Sequence, residues 1–220
     1  MRSKYLLVLT LATLVVLTGC GGGDGDGDPT GPDLTAAELT ARGWDSYEAG
    51  DLNAALTDFD AAIARDGAYS AAHVGQGWAR LGLAATGTGM TNAAASFTAA
   101  LGAGANGAEV RAGRAAAYLG AGGATLDDAV TDAIAARQQS PSFQFAHRAS
   151  FDHRDLRLIE AFALAAQDDL EGALAAADGI AASGITTGNS ASWVVDGVTY
   201  GSYGAAVLAY LNKLSNQYAG

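Results

Sequence analysis

The sequence predicts an all-α chain, a right-handed α-solenoid of about four helix hairpins, closed at its C-terminal end by a β-hairpin and a helix. Three observations lead there. From Thr35 onward Ala and Leu recur at helical spacing, broken at short intervals by Gly, Asn and Asp. Small residues and aromatics also recur with a period of roughly 34 residues, as in stacked helix hairpins. After Gly184 the texture changes to short runs, Ser192-Trp193-Val194-Val195 and Val198-Thr199-Tyr200, on either side of Asp196-Gly197, a strong signal for a two-residue turn.

The clearest unit runs from Ala36 to Tyr69, with Gly43 at its eighth position, Gly50-Asp51 at the turn, then Ala55, Phe59 and Ala62 on the second helix. Thr35 followed by Glu38 predicts a capping box for the first helix, and Asp51 caps the second. A second unit starts near Ser70, with Gly77, a longer turn from Gly82 to Met90, and Ala93, Phe97 and Ala100. A third follows from Asn106 with Gly113, Ala129, Ala136 and Pro141, and a capping pair at Thr125 and Asp128. A fourth, weaker unit covers about Asp152 to Ser183, with Ala173 and, at the aromatic position, Ala177. This pattern is similar to the tetratricopeptide repeat (TPR), two antiparallel helices whose apolar faces are buried only against neighbouring repeats. The resemblance extends over about two thirds of the chain. Its early Trp and Leu positions are taken here by Leu39 and Arg42. The hairpin and the helix of Tyr203 to Leu214 then close the exposed end, with Trp193 as anchor, because a lone hairpin is marginal in water.

Ahead of the repeats the chain carries a different signature. Arg2 and Lys4 precede an apolar stretch from Tyr5 to Leu17, followed by Leu17-Thr18-Gly19-Cys20. That stretch is shorter than the roughly 20 residues a membrane span needs, and its layout is that of a secretory signal. The cysteine and the residues before it resemble the lipobox of bacterial lipoproteins. The resemblance implies cleavage before Cys20, lipid on its thiol and amino terminus, and attachment to the cell envelope without a transmembrane helix. Each buried methylene contributes about 0.8 kcal/mol, so two or three acyl chains hold a protein durably where one does not. Gly21 stands where an aspartate retains some lipoproteins at the inner membrane, which implies the outer membrane. The expected organisation is a signal peptide over 1–19, a lipidated linker over 20–34, the repeats over 35–183 and the cap over 184–220.

The linker, GGGDGDGDPTGPD from Gly21 to Asp33, has nothing to contribute to a core and spans about 20 Å as a flexible coil. Asp24, Asp26 and Asp28 alternate as in a calcium loop, but Pro29 and Thr35 occupy the positions that need Gly and Glu. Loss of Arg2 and Lys4 takes the basic residues from 12 to 10 against 23 acidic ones, and the formal charge from −11 to −13. An acidic body of this kind repels phosphate backbones and anionic head groups, so no nucleic acid is expected as partner, and membrane contact comes from the lipid only.

No catalytic set emerges. Gly102-Ala103-Gly104-Ala105-Asn106-Gly107 matches the dinucleotide pattern GxGxxG, but the segment before it, Thr91 to Leu101, reads as a helix, where that pattern needs a strand. His147 and His153 lie six apart, which does not set them on one helical face for a metal. Neither a cofactor nor enzymatic activity is expected. In TPR proteins the ninth position of each first helix points into a concave groove. Read through the four units it is Trp44, Trp78, Arg114 and Phe162, with Tyr47 one turn after Trp44. Aromatic and Arg side chains serve as interface anchors, though large aromatics also serve packing. The resulting expectation is a non-catalytic scaffold that binds a protein or peptide partner in the groove. The alternative is a lipoprotein that binds sugars or small ligands.

Overall fold

The computed structural model describes residues 34–218. The signal, Cys20 and all of the linker up to Asp33 lie outside the described residues.

Four antiparallel helix hairpins follow one another. They are α1 (Ala36–Glu48) with α2 (Leu52–Arg65), α3 (Ser70–Leu83) with α4 (Gly87–Gly102), α5 (Ala108–Ala121) with α6 (Leu126–Gln139), and α7 (His153–Ala166) with α8 (Leu170–Asp178). Each helix packs on the next in sequence, and the first helices also touch in the order α1, α3, α5, α7. The first helices therefore stand side by side and form one continuous inner face.

Local chemistry sets the boundaries. Thr35 and Glu38 make the capping box expected of them, and Asp51 accepts from the Ala54 amide to start α2. Asp152 and Asp155 form a second capping box at α7. Two boundaries differ from the expectation. The turn of the second hairpin is confined to residues 84–86, because Thr86 caps α4 and Gly87 and Gly89 are wound into the helix. Thr125 does not cap α6. A 3-10 turn leads into that helix, and the Thr125 hydroxyl donates back to the Tyr118 and Gly122 carbonyls, 2.9 Å each.

Close approach of the helices depends on glycine facing phenylalanine. The Phe59 ring of α2 lies against Gly43 of α1 and Gly75 of α3, where an added Cβ would come within 2.7 and 2.2 Å of it. Phe97 of α4 repeats this one hairpin later, against Gly77 and Gly113 at 2.7 and 2.2 Å. Gly113 thus receives the ring of the preceding hairpin, and Ala115 takes the place in α5 that Gly43 and Gly77 hold in α1 and α3. The third hairpin has Ala133 in place of the phenylalanine, fully buried. Polar pairs stitch the same seams. Arg42 reaches Asp58 at 3.0 and 2.5 Å, Gln76 donates to Asp60 at 2.6 Å, and Arg137 joins α6 to Glu160 of α7 at 2.6 Å.

The C-terminal cap has the expected form. Strands β1 (Val194–Val195) and β2 (Val198–Thr199) pair antiparallel. Asp196 and Gly197 between them both have positive φ, 51° and 79°, the conformation that a two-residue hairpin turn demands. Trp193 is half-buried, with its Nε1 donating to the Thr186 carbonyl at 2.9 Å. The last helix, α9 (Tyr203–Tyr218), buries Val207, Tyr210, Leu211 and Leu214 over α7 and α8. Among the described residues no helix is long and apolar enough to cross a membrane.

Tyr210 donates its hydroxyl to the Ala181 carbonyl. Burial, reinforced by the charge of Asp178 and by Tyr218, pushes its phenol up to about 12. A tyrosine in an unfolded chain ionises near pH 10, so this contribution to stability is complete below about pH 10 and is lost as pH rises through 12. Urea midpoints at about pH 9 and about pH 11.5 are expected to fall further for the native chain than for Tyr210→Phe. Equal falls in both chains would show that Tyr210 ionises freely in the fold.

Candidate binding groove

The connections between hairpins are short at residues 66–69 and 103–107, but the one between α6 and α7 runs over residues 140–152. This segment does not loop into solvent. Its first limb is extended over residues 143–145 and then turns through Ala146 and His147, with Phe143, Phe145 and His147 turned inward and Gln144 and Ala146 outward. The limb pairs with the return strand: the Phe145 amide donates to the Phe151 carbonyl at 2.9 Å, and the His153 amide to the Phe143 carbonyl at 2.8 Å. Gln144 bridges to Asp152 in antiparallel fashion. Arg148, Ala149 and Ser150 form the exposed tip.

Phe145, His147 and Phe151 enter the face made by α1 and α3, and Phe143 packs edge-on against Phe151. Phe145, only 1% exposed, stacks on Trp78 with centroids 4.0 Å apart and 17° between the planes. The Trp44 and Tyr47 rings meet Phe145 edge-on at 5.9 and 6.2 Å. His147 lies flat on Trp44, 3.8 Å between centroids and 2° between planes, and its Nδ1 is 2.7 Å from Oε1 of Glu48. Phe151 approaches Trp78 edge-on at 5.3 Å. Offset and edge-on arrangements of this kind add about 0.5–1.5 kcal/mol per pair beyond the area they bury.

Charge is arranged around this cluster. Burial raises the Tyr47 phenol above its ordinary range, with the positive charge of Arg148 opposing. Burial would also raise Asp152, but hydrogen bonds from the Arg154 side chain and amide outweigh it and hold that carboxyl below the usual range. Burial raises Asp155, its neighbour in the capping box. What this arrangement offers chemically is recognition, by stacking, apolar burial and a carboxylate at the rim.

Solved structures similar to the chain include two TPR proteins. One is a TPR protein of Parabacteroides merdae, 17% identical over 83% of this chain and 61% of that one, with a TM-score of 0.51. The other is YrrB, described as a TPR protein with an unusual peptide-binding site, 16% identical over 83% of this chain and 88% of that one, with a TM-score of 0.56. The fold is a TPR-like solenoid. No protein-family model matches the chain, and no curated protein matches it in sequence.

Within the TPR-like solenoid the five residues expected to line a groove are dispersed. Trp44 and Tyr47 do stand on the inner face, where Trp44 is half-buried and Tyr47 buried beneath segment 140–152. Trp78 is 1% exposed and forms the floor under Phe145. Arg114 turns instead toward α6, with Nε 2.6 Å and Nη2 3.0 Å from the Asp132 carboxylate. The reason is register: α5 begins at Ala108, two residues later than the start at Asn106 expected from the sequence, so Ala116 occupies the place in α5 that Trp44 and Trp78 occupy in α1 and α3. Phe162 packs toward the second apolar cluster, shared by α7, α8 and the cap.

Phe143, Phe145 and Phe151, which complete the aromatic cluster, are not singled out by the repeat pattern because they belong to no helix. The visible signal is the period-two alternation Phe143-x-Phe145-x-His147 inside a connection too long for a repeat turn. His147 and His153, grouped in the sequence, are separated in use. The first serves the groove, and the second lies at the start of α7 with Nδ1 3.9 Å from Asp152.

Proposed function

We propose that the chain is a lipid-anchored, non-catalytic scaffold of the bacterial cell envelope that takes a protein or peptide segment on the inner face of its helical repeats. One observation carries the reading: that face already holds a non-helical length of chain through the rings of Phe145 and His147, two residues apart. A surface that seats one non-helical segment by stacking is suited to seating another. The likeness in fold to YrrB, a protein with a peptide-binding site, supports the same use. Attachment through Cys20, and with it the outer membrane, rests on the lipobox resemblance and the acidic spacer that follows.

Crosslinking and co-purification from membranes test both parts. Trp44→Ala removes the half-buried edge of the groove and spares Trp78, and is expected to lose a partner that the native chain retains while the helical circular dichroism stays the same. A partner equally retained by Trp44→Ala would refute the groove. Cys20→Ala is expected to leave the membrane fraction, and its continued membrane partition would refute the anchor.

A further inference from the structure

We propose that residues 140–152 are a built-in stand-in for the partner, and that the partner is a segment reading aromatic-x-planar cation which displaces them. This deepens the groove reading above and rests on it. The segment defines the motif by its own fit. Phe145 stacks on Trp78 in the apolar face, and His147, two residues on, lies between the Trp44 ring and the Glu48 carboxylate. A turn closed by the Arg148 amide on the Phe145 carbonyl carries the one to the other. A histidine or arginine suits the second place, since a planar cation stacks on indole and pairs with a carboxylate. The formal charge of −11 favours such a partner over an acidic one.

Several features mark the segment as replaceable. It is a detour between two complete helices: its ends are tied to them, by Ser140 on the Ala136 carbonyl and by Asp152 as the cap of α7, while the backbone hydrogen bonds of Phe145, Arg148 and Phe151 are made within the segment. Its polar hold on α1 is His147 on Glu48, a residue whose side chain is 54% exposed. The seat it fills is also imperfect. Trp78 Nε1 is buried without an acceptor among the described residues. A buried donor left unpaired is costly, and a main-chain carbonyl of an incoming segment can satisfy it where the resident one does not.

Fluorescence anisotropy with a labelled synthetic peptide of residues 140–152 tests this on the full chain. A groove open no more than about a tenth of the time binds about tenfold more weakly than an open one. Phe143→Ala with Phe145→Ala, which weakens the resident segment, is therefore expected to bind the peptide at least about tenfold more tightly than the native chain. The same substitutions in the peptide, or His147→Glu in the peptide, are expected to abolish binding. No binding to the double variant with its helical signal intact would overturn the proposal. Should that variant unfold, His147→Ala decides, since it loosens only the rim: about threefold tighter binding than native supports the proposal, and equal binding overturns it. Purified protein is enough for this assay, so its outcome is separate from whether an envelope partner exists. A membrane partner retained equally by native and double-variant chains would overturn the displacement and leave the scaffold role standing.

Discussion

Phe59→Ala is expected to destabilise the chain by about 3–5 kcal/mol, read as a lower urea midpoint with an unchanged slope. The ring is fully buried, and it fills a slot whose walls are the backbones of two helices at Gly43 and Gly75. Walls of that kind cannot collapse inward. Each helix is held at its distance by its other neighbours, so the deletion leaves a cavity at the seam of the first two hairpins. Trp44, edge-on to Phe59 at 5.0 Å, also loses its support, so the groove is expected to loosen with the core. The reverse experiment is Gly75→Ala, whose Cβ would come 2.2 Å from the ring and whose expected cost is about 1–3 kcal/mol of overpacking. A loss below about 1 kcal/mol for Phe59→Ala would show that the slot closes over and that the ring is not what spaces the helices.

Asp132→Ala is expected to cost about 3 kcal/mol, for an electrostatic reason. The carboxylate is 3% exposed and accepts from Arg114 at 2.6 and 3.0 Å, with Arg111 Nη1 at 3.5 Å. The bond to Asp132 is the main cause that raises the Arg114 guanidinium above its ordinary pKa. Without its partner that charge stays in a largely buried position, where an unpaired ion is far more costly than an absent pair. Replacing both residues, Arg114→Met with Asp132→Leu, is therefore expected to recover most of the loss. A double-mutant cycle measures the coupling. If the double replacement is as unstable as Asp132→Ala alone, the cost lies in packing around α6 and not in the stranded charge.

The elements most readable from sequence are those whose cause is local. Thr35 with Glu38 and Asp51 cap their helices because a side chain reaches an amide three residues away, and Asp196-Gly197 turns because of its own backbone preferences. The glycine and phenylalanine repeat is equally plain, since a ring needs a gap wherever it recurs. Less visible is which helix supplies the gap: the place expected for Gly113 in its own hairpin is held by Ala115, and Gly113 receives the ring of the hairpin before. Arg114 shows how costly that is for a functional reading. A two-residue shift in the start of α5 rotates the helix by more than half a turn, enough to move a residue from the inner face to the seam with α6.

Composition, periodicity and capping were enough to specify a stack of helix hairpins with a strand-and-helix cap, because each of those signals acts over a few residues or repeats at a fixed interval. The occupied groove was decided in three dimensions. His147 meets Glu48 across 99 residues of chain, and Phe145 meets Trp44, Tyr47 and Trp78 from a connection that no repeat pattern describes. Such contacts arise only once the first helices stand side by side and present a common face, and no spacing along the chain encodes which distant segment will cover it.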